Sequence, residues 1–339
     1  MRENPGMTTQ SVPPTAALPP LADLQETTPS VAISLTRAGI SRSAKALHVT
    51  LGGRERSLMA DIECSVDLGA SQKGVHMSRF EEVGNAAIEE MTAGETLRID
   101  VLAERIASTI LERQGAKRAE VTIRATYPMT RRTPISGVAT QEMYGLLATA
   151  VATGAGTRRI TGVSAQGMNA CPCAQDLLRE QAAAALGEDG FDGGQVDRIL
   201  QLVPIATHNQ RAEGTLCIGT TDGSDIDPDL LIEIVEEGMS SEIYELMKRT
   251  DERYVVDRAH RRPRFVEDSA REMIRGVLER LSDLPDDAVV SATQVNFETI
   301  HTHNVEAART GTLGQIRAEL RGVHPDAPHV TLARWLDGG

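Results

Sequence analysis

Aromatic residues make up only 3% of the chain: one tryptophan, four tyrosines and four phenylalanines in 339 residues. The core must therefore be mostly aliphatic, and the stacking platforms that hold single-stranded nucleic acid are not expected. Positive charge is also in short supply. Lys and Arg number 35 against 48 Asp and Glu, for a formal net charge of -13. A surface of that sign repels nucleic acid and anionic membranes at long range, so neither is expected as a partner. Any anionic ligand must be met by a local cluster of basic groups. Cysteine is scarce too. Four thiols (Cys64, Cys171, Cys173 and Cys217) in a chain this long do not make a secreted disulfide framework, which points to reduced thiols and a cytoplasmic location. No apolar run approaches a membrane span or a signal-peptide core. Phosphate-cradling loops are missing as well: there is no G-x-x-x-x-G-K-[ST], and "GAGTRR" at Gly154 fails the G-x-G-x-x-G pattern after its second glycine. This disfavours a P-loop enzyme or a Rossmann dehydrogenase.

What the chain does have is an ordinary globular share of apolar residues, 40%, and a readable order of elements. Residues 1–28, rich in Pro and Thr, are expected to be a disordered tail. "ALHVTL" and "ADIECSVDL" alternate as strands, punctuated by Gly52-Gly53. Helices are expected over Phe80–Ala93 and Leu97–Ala116; in the second, Ile99, Leu102, Ala103, Ile106 and Ile110 share a face. Ala119–Thr126 and Arg159–Gly167 read as strands. An Ala-rich helix to Leu186 and a helix at Val196–Leu202 precede a strand at Gly214–Thr220. Asp229–Lys248 and Arg264–Leu281 read as long amphipathic helices, with Pro263 placed where a helix start welcomes it. Ala288–Ile300 closes the series as a strand. Strands and helices are segregated rather than alternating, and the order repeats loosely in two halves, 29–157 and 158–321, with 322–339 as a C-terminal extension. An α+β fold is expected.

Two thiols flank a proline in "GMNACPCAQDLL". Pro172 keeps Cys171 and Cys173 from sharing a regular ladder, which would hold one thiol forward while the other packs behind. The pair reads as part of a metal site, as two buried small hydrophobes, or as a redox pair, although redox pairs usually space their thiols C-x-x-C. Two histidine groups stand out. His208 lies in the polar stretch "IATHNQRAEG", and "NFETIHTHNVEA" places Glu298, His301 and His303 within six residues. On a strand His301 and His303 would face one side, and Glu298 the other unless the strand end re-aims it. Thiolate and imidazole are donors that Zn²⁺ or Fe²⁺ prefers, and scattered single ligands suit a catalytic metal better than a structural one. His48, His260, His324 and His329 have no clustered partner and read as ordinary core or surface residues. Glu267, at the start of its helix, reads by itself as a solvated first-turn acid. "GASQKGVHMSRF" gathers Lys73, His76, Ser78 and Arg79 before a helix, a local positive site or a solvated loop.

Together, "DLGASQKGVHMSRF", "NACPCAQ", "ATHNQRAEGT", "YELMKRTDERYVV", "RPRFVEDSAREMI" and "VNFETIHTHNVEA" resemble the metal-dependent type IB GTP cyclohydrolases, with "CPCAQ", "THNQR" and "FVEDSAREMI" most similar to the archaeal MptA branch. The resemblance spans about Leu24 to Arg321. It implies tandem tunnelling-fold (T-fold) modules, antiparallel sheets with paired helices on one face, assembled as a homotetramer with active sites between subunits. It implies one divalent metal, Fe²⁺ foremost and Mn²⁺ or Zn²⁺ as alternatives, held by Cys171, His208, Glu252 and His301. It implies that Glu267 accepts hydrogen bonds from the guanine N–H groups, that Glu298 and His303 move protons beside the metal, and that Lys73, His76 and Arg79 meet the triphosphate of GTP. The reaction would open the guanine imidazole ring at C8, release formate and yield 7,8-dihydroneopterin triphosphate or its 2′,3′-cyclic phosphate, the first step of folate or methanopterin-type pterin synthesis. The alternatives are a pterin- or purine-binding protein of the same fold without turnover, and a thiol redox protein built on C-P-C.

Overall fold

The computed structural model describes residues 23–51, 54–92, 98–323 and 329–338. Most of the Pro/Thr-rich tail, the Gly52-Gly53 punctuation and His324 lie outside the described residues. The elements run β1 (Leu35–Leu51), β2 (Arg54–Leu68), α1 (Met77–Thr92), α2 (Ile99–Gln114), β3 (Arg118–Arg132), β4 (Ala139–Thr153) and β5 (Gly156–Ala170). They continue with α3 (Pro172–Glu188), α4 (Gly193–Leu202), β6 (Asn209–Thr220), α5 (Pro228–Gly238), β7 (Ser241–Glu242), α6 (Arg249–Arg261) and α7 (Val266–Arg280). The chain closes with β8 (Val289–Asn296), β9 (Val305–Thr312), α8 (Leu313–Leu320) and α9 (Leu332–Leu336). The nine strands of the described residues join one antiparallel sheet in the order β1-β2-β3-β4-β5-β6-β8-β9, with β7 added to β5. The order β-β-α-α-β-β occurs twice, the second time with α3–α4 inserted between its first two strands and β7–α6 between its helices.

The layers follow from side-chain period. Ile99, Leu102, Ala103, Ile106, Ala107 and Ile110 of α2 are all nearly inaccessible and meet Val121, Ile123 and Tyr127 of β3 in the main core. Gly115 ends α2 in the left-handed conformation, φ +63°, where its N–H donates to the Glu112 carbonyl and the Ala116 N–H to the Leu111 carbonyl, both at 3.2 Å. In the second half α5 and α7 press on β6. A Cβ at Gly214 would sit 2.6 Å from Val235 of α5 and 3.3 Å from the Met273 sulfur of α7, so only glycine admits both helices. The short α9 lies on the opposite face. A Cβ at Gly219, five residues along the same strand, would sit 2.6 Å from the Trp335 ring. Trp335 is buried there with Val151, Ile160, Cys217 and Val289; its indole N–H donates to the Asp287 carbonyl at 2.9 Å, and Arg158 stacks on the ring.

Several expectations change. The helix expected over Asp229–Lys248 stops at Gly238, because Ser241 and Glu242 leave it to pair with Met168 and Gly167 of β5. The amphipathic pattern is overridden by a strand pairing far away in sequence. Helix α6 is unheralded because it has little apolar stripe: Val255, Ala259, His260 and the carboxylate of Asp251 are what it buries. β4 and β9 each hold one Val and no Ile, Val151 and Val305, among Ala, Gly, Thr and other residues that give no strong strand pattern. The strand expected to run to Ile300 ends at Asn296.

Two buried polar groups hold the site-bearing end of the sheet. Asn169, fully inaccessible on β5, donates to Asn296 of β8 at 2.8 Å and to Ser269 of α7 at 3.1 Å, and accepts from the Ser240 N–H at 2.9 Å. Asp251 of α6, also inaccessible, accepts from the Ile135 and Ser136 N–H groups, the Ser136 hydroxyl and the Lys248 N–H at 2.6–3.0 Å, tying α6 to the β3–β4 turn. Burial opposes its ionisation, but the bonds from Ser136, Lys248 and Ile135 outweigh that and hold the carboxyl well below the usual carboxylate range.

Asn169→Ala is expected to lower unfolding free energy by about 3 kcal/mol in urea titrations, since it strands buried partners on three elements. For Asp251 the sign follows from a depressed pKa. Its contribution is complete above the unfolded carboxylate value, about 4, and is lost as pH falls toward the folded one. The melting-temperature gap between wild type and Asp251→Asn should therefore be largest at neutral pH and shrink below pH 4; a gap that grows on acidification would contradict this assignment.

Candidate active site

Three strands stop at one level of the sheet. Ala170, the last residue of β5, pairs with Asn209, the first of β6, and Ala212 of β6 pairs with Asn296, the last of β8. The residues just past these ends are the ones with chemistry. Cys171 leaves β5, and its N–H donates to the His208 carbonyl at 3.1 Å, so the thiol and the imidazole come from adjacent ladder positions. Pro172 occupies the first turn of α3, and the Cys171 sulfur caps that helix by accepting the Ala174 N–H at 3.5 Å. Cys173 is exposed on the first turn of α3. It does not pack behind Cys171, because the helix turns it outward.

Beyond Asn296 the backbone is no longer extended. The Phe297 N–H donates to the Arg211 carbonyl at 2.9 Å and the Thr299 hydroxyl to the Asn209 carbonyl at 3.2 Å, folding residues 297–304 over the end of β6. Glu298 is thereby re-aimed. One oxygen accepts from the Gln210 amide at 3.1 Å; the other, Oε2, stands 3.9 Å from Nδ1 of His208. Both Oε2 and this Nδ1 are buried and have no hydrogen-bond partner, as is the carbonyl oxygen of Gln210. His301 and His303, exposed in the same loop, stack ring on ring with centroids 5.2 Å apart. Helix α7 presents Glu267 from its first turn. Cys171, His208, Gln210, Glu267, Glu298, His301 and His303 all line one cavity of about 280 Å³, walled by Phe265 and closed behind by Asn296. Glu267 also lines a neighbouring groove of about 550 Å³ between α7, β9 and α8.

Other candidate residues stand elsewhere. Glu252 is exposed in the first turn of α6 and does not line the cavity. Lys73 and His76 belong to the segment between β2 and α1, and Arg79 to the first turn of α1, all in the first half of the chain. Lys73 is exposed, and Arg79 donates to the Arg113 carbonyl at 3.2 Å. His76 lies 3.1 Å from Asp23, and Lys73 and Gly74 bond the backbone of Thr27 and Gln25, so the end of the tail packs on this loop. Its surface is therefore of mixed charge rather than purely basic. Among the described residues, Asp23, Glu26 and His76 are the one group of three whose ligand atoms all lie within 4.8 Å of one another, a set that could hold a cation. The donors at the strand ends are more open. His260 is a core residue, its ring against the Val256 and Thr207 carbonyls behind His208.

Gln210 and Asn169 were within reach of the motifs "THNQR" and "GMNACPC", but nothing in their spacing marks an orphaned carbonyl or a buried hub. A divalent cation fits the donor chemistry of the cavity: a sulfur, an unpartnered imidazole nitrogen and an unpartnered carboxylate oxygen belong to residues that line it together. No helix among the described residues is long and apolar enough to cross a membrane.

Comparison with known proteins agrees in family. The chain is 43% identical over 306 residues to the GTP cyclohydrolase MptA of Methanococcus aeolicus, covering 88% of this chain and 99% of that one. The corresponding protein of Methanoregula boonei is 40% identical over 310 residues, covering 90% and 95%, and that of Methanosarcina acetivorans 37% over 309, covering 88% and 97%. Among solved structures, the uricase of Arthrobacter globiformis shares the fold at a TM-score of 0.50 with 10% identity, over 86% of this chain and 96% of that one. Residues 21–307 match the model of the type I GTP cyclohydrolase folE2 family, and the chain belongs to that family.

Proposed function

We propose that this protein is a metal-dependent GTP cyclohydrolase whose reaction is carried out at the ends of β5, β6 and β8. The observation that carries the reading is the facing pair of buried, unpartnered atoms, His208 Nδ1 and Glu298 Oε2, in a cavity that also takes in Cys171, Glu267, His301 and His303. Unpaired polar atoms are costly to bury, and a ligand that satisfies both repays the cost.

Cys171, His208 and His301 would hold the cation, with Glu252 as the fourth ligand. Bound there, a divalent cation would supply Lewis acidity that makes hydroxide available near neutral pH. Glu267 would accept hydrogen bonds from the guanine N–H edge through both carboxylate oxygens and fix the ring in register. Glu298 and His303 would carry protons. The first water adds at C8 and opens the imidazole ring, a second releases C8 as formate, and one water returns when the rearranged ribose carbons close the pyrazine ring. Each step needs a proton moved at a ring nitrogen or a ribose oxygen, work suited to a carboxylate and imidazole pair. The product is 7,8-dihydroneopterin triphosphate or its 2′,3′-cyclic phosphate.

Glu252 and residues 69–79 do not line the cavity, and among the described residues β1 and β9 are the two edges of the sheet. We read these together: the tandem T-fold sheets continue through neighbouring copies into a tetramer, and a second subunit closes each site with Glu252, Lys73, His76 and Arg79. Fe²⁺ is the metal of first choice, with Mn²⁺ and Zn²⁺ as alternatives.

Reduced protein incubated anaerobically with GTP and Fe²⁺ or Mn²⁺ should release formate and, after oxidation, a fluorescent pterin; the product mass separates triphosphate from cyclic phosphate. Cys171→Ala and His208→Ala should each lower turnover by about 100-fold or more, and Cys173→Ala by less than about threefold. Silence with every metal would instead favour a binder without turnover, and equal damage from both cysteine substitutions would favour thiol redox chemistry.

A further inference from the structure

Gln210 is 5% exposed and is the second residue of β6, its backbone fixed opposite Asn169 in the β5–β6 ladder. Its side-chain NH₂ donates to Oε1 of Glu298 at 3.1 Å, while its own carbonyl oxygen is buried with no partner, and the residue lines the cavity. The two halves of this amide are not interchangeable. With the NH₂ donating to Glu298, the carbonyl at the other side of the planar amide points away from that carboxylate oxygen. Gln114 and Gln294 also carry orphaned carbonyl oxygens, but neither lines this cavity. With Oε1 of Glu298 engaged, Oε2 is left facing His208.

We propose, resting on the cyclohydrolase reading, that Gln210 is a positioning residue with two ends: its NH₂ locks Glu298 in the rotamer that aims Oε2 at the reacting centre, and its carbonyl accepts a hydrogen bond from an N–H or O–H donor on the substrate ring. A purine carries ring N–H and amino donors, and water addition at C8 creates a new hydroxyl and a new ring N–H. A donor that appears only as the ring opens would find its acceptor already in place, so the interaction favours the transition state over the bound substrate. An apolar residue of the same length would fill the space but could neither hold Glu298 nor receive that donor.

The test is Gln210→Met, which keeps length and volume and removes both polar ends. With the metal-loaded enzyme, kcat should fall about 10- to 100-fold while KM for GTP, metal content and melting temperature stay within narrow limits, the pattern of an interaction made in the transition state. A kcat within twofold of wild type would overturn the proposal. A second arm does not depend on turnover: the crystal structure of the metal-free Gln210→Met protein should show the Glu298 carboxylate rotated away from His208. A Glu298 that keeps its approach to Nδ1 without Gln210 would overturn the positioning role even if wild type released no formate, an outcome that would separately sink the cyclohydrolase reading.

Discussion

Ala170 opposite Asn209, and Ala212 opposite Asn296, are the register positions on which the candidate site depends. A one-residue slip in either ladder would turn every side chain of the strand to the other face and carry Cys171, His208 or Glu298 out of the cavity. The register is held from behind by the amide of Asn169, which bonds β8, α7 and the turn after α5 at once. Such a network specifies one arrangement because every alternative strands a buried donor or acceptor. The chemistry then falls to residues just past the ladder ends, where alternation no longer dictates direction. Glu298 shows the consequence. On a continued strand it would point away from the histidines, whereas two residues past Asn296 it turns in toward His208.

The helices with a clean apolar stripe, α2 and α7, were legible in the sequence because their burial follows the 3.6-residue period. The elements that were not legible are those whose stability is tertiary. α6 is anchored by one buried carboxylate, β7 by two ladder positions, and β4 by Ala and Gly set beneath helices that only the fold brings near. At the site, residue type marked the cysteine, the lone histidine of a polar loop and the H-x-H pair, and the family motifs proposed their roles. Gln210 and Asn169 carry no such mark. Their significance lies in which end of an amide is paired, a property of three-dimensional neighbours alone.

Acidity overall and a polyanionic substrate pull in opposite directions, and the cavity itself does not resolve them. Its carboxylates, Glu267 and Glu298, suit the N–H edge of a base. Its one arginine, Arg264, is already committed to the Glu237 and Met239 carbonyls and to Glu272. At about 280 Å³ the cavity also falls just short of the range, about 300–1,000 Å³, in which pockets enclose most of a drug-sized ligand. Under the proposed reading the base occupies it and the phosphates extend outside. Because Glu267 borders both this cavity and the larger groove beside α7, the guanine edge would sit at their junction. Cations for the phosphates would then come from a surface this subunit does not present there. Under the same reading, that requirement and the position of Glu252 outside the cavity would share one physical solution, a second copy of the chain seated across the opening, and assembly would then be a condition of activity rather than an accompaniment to it.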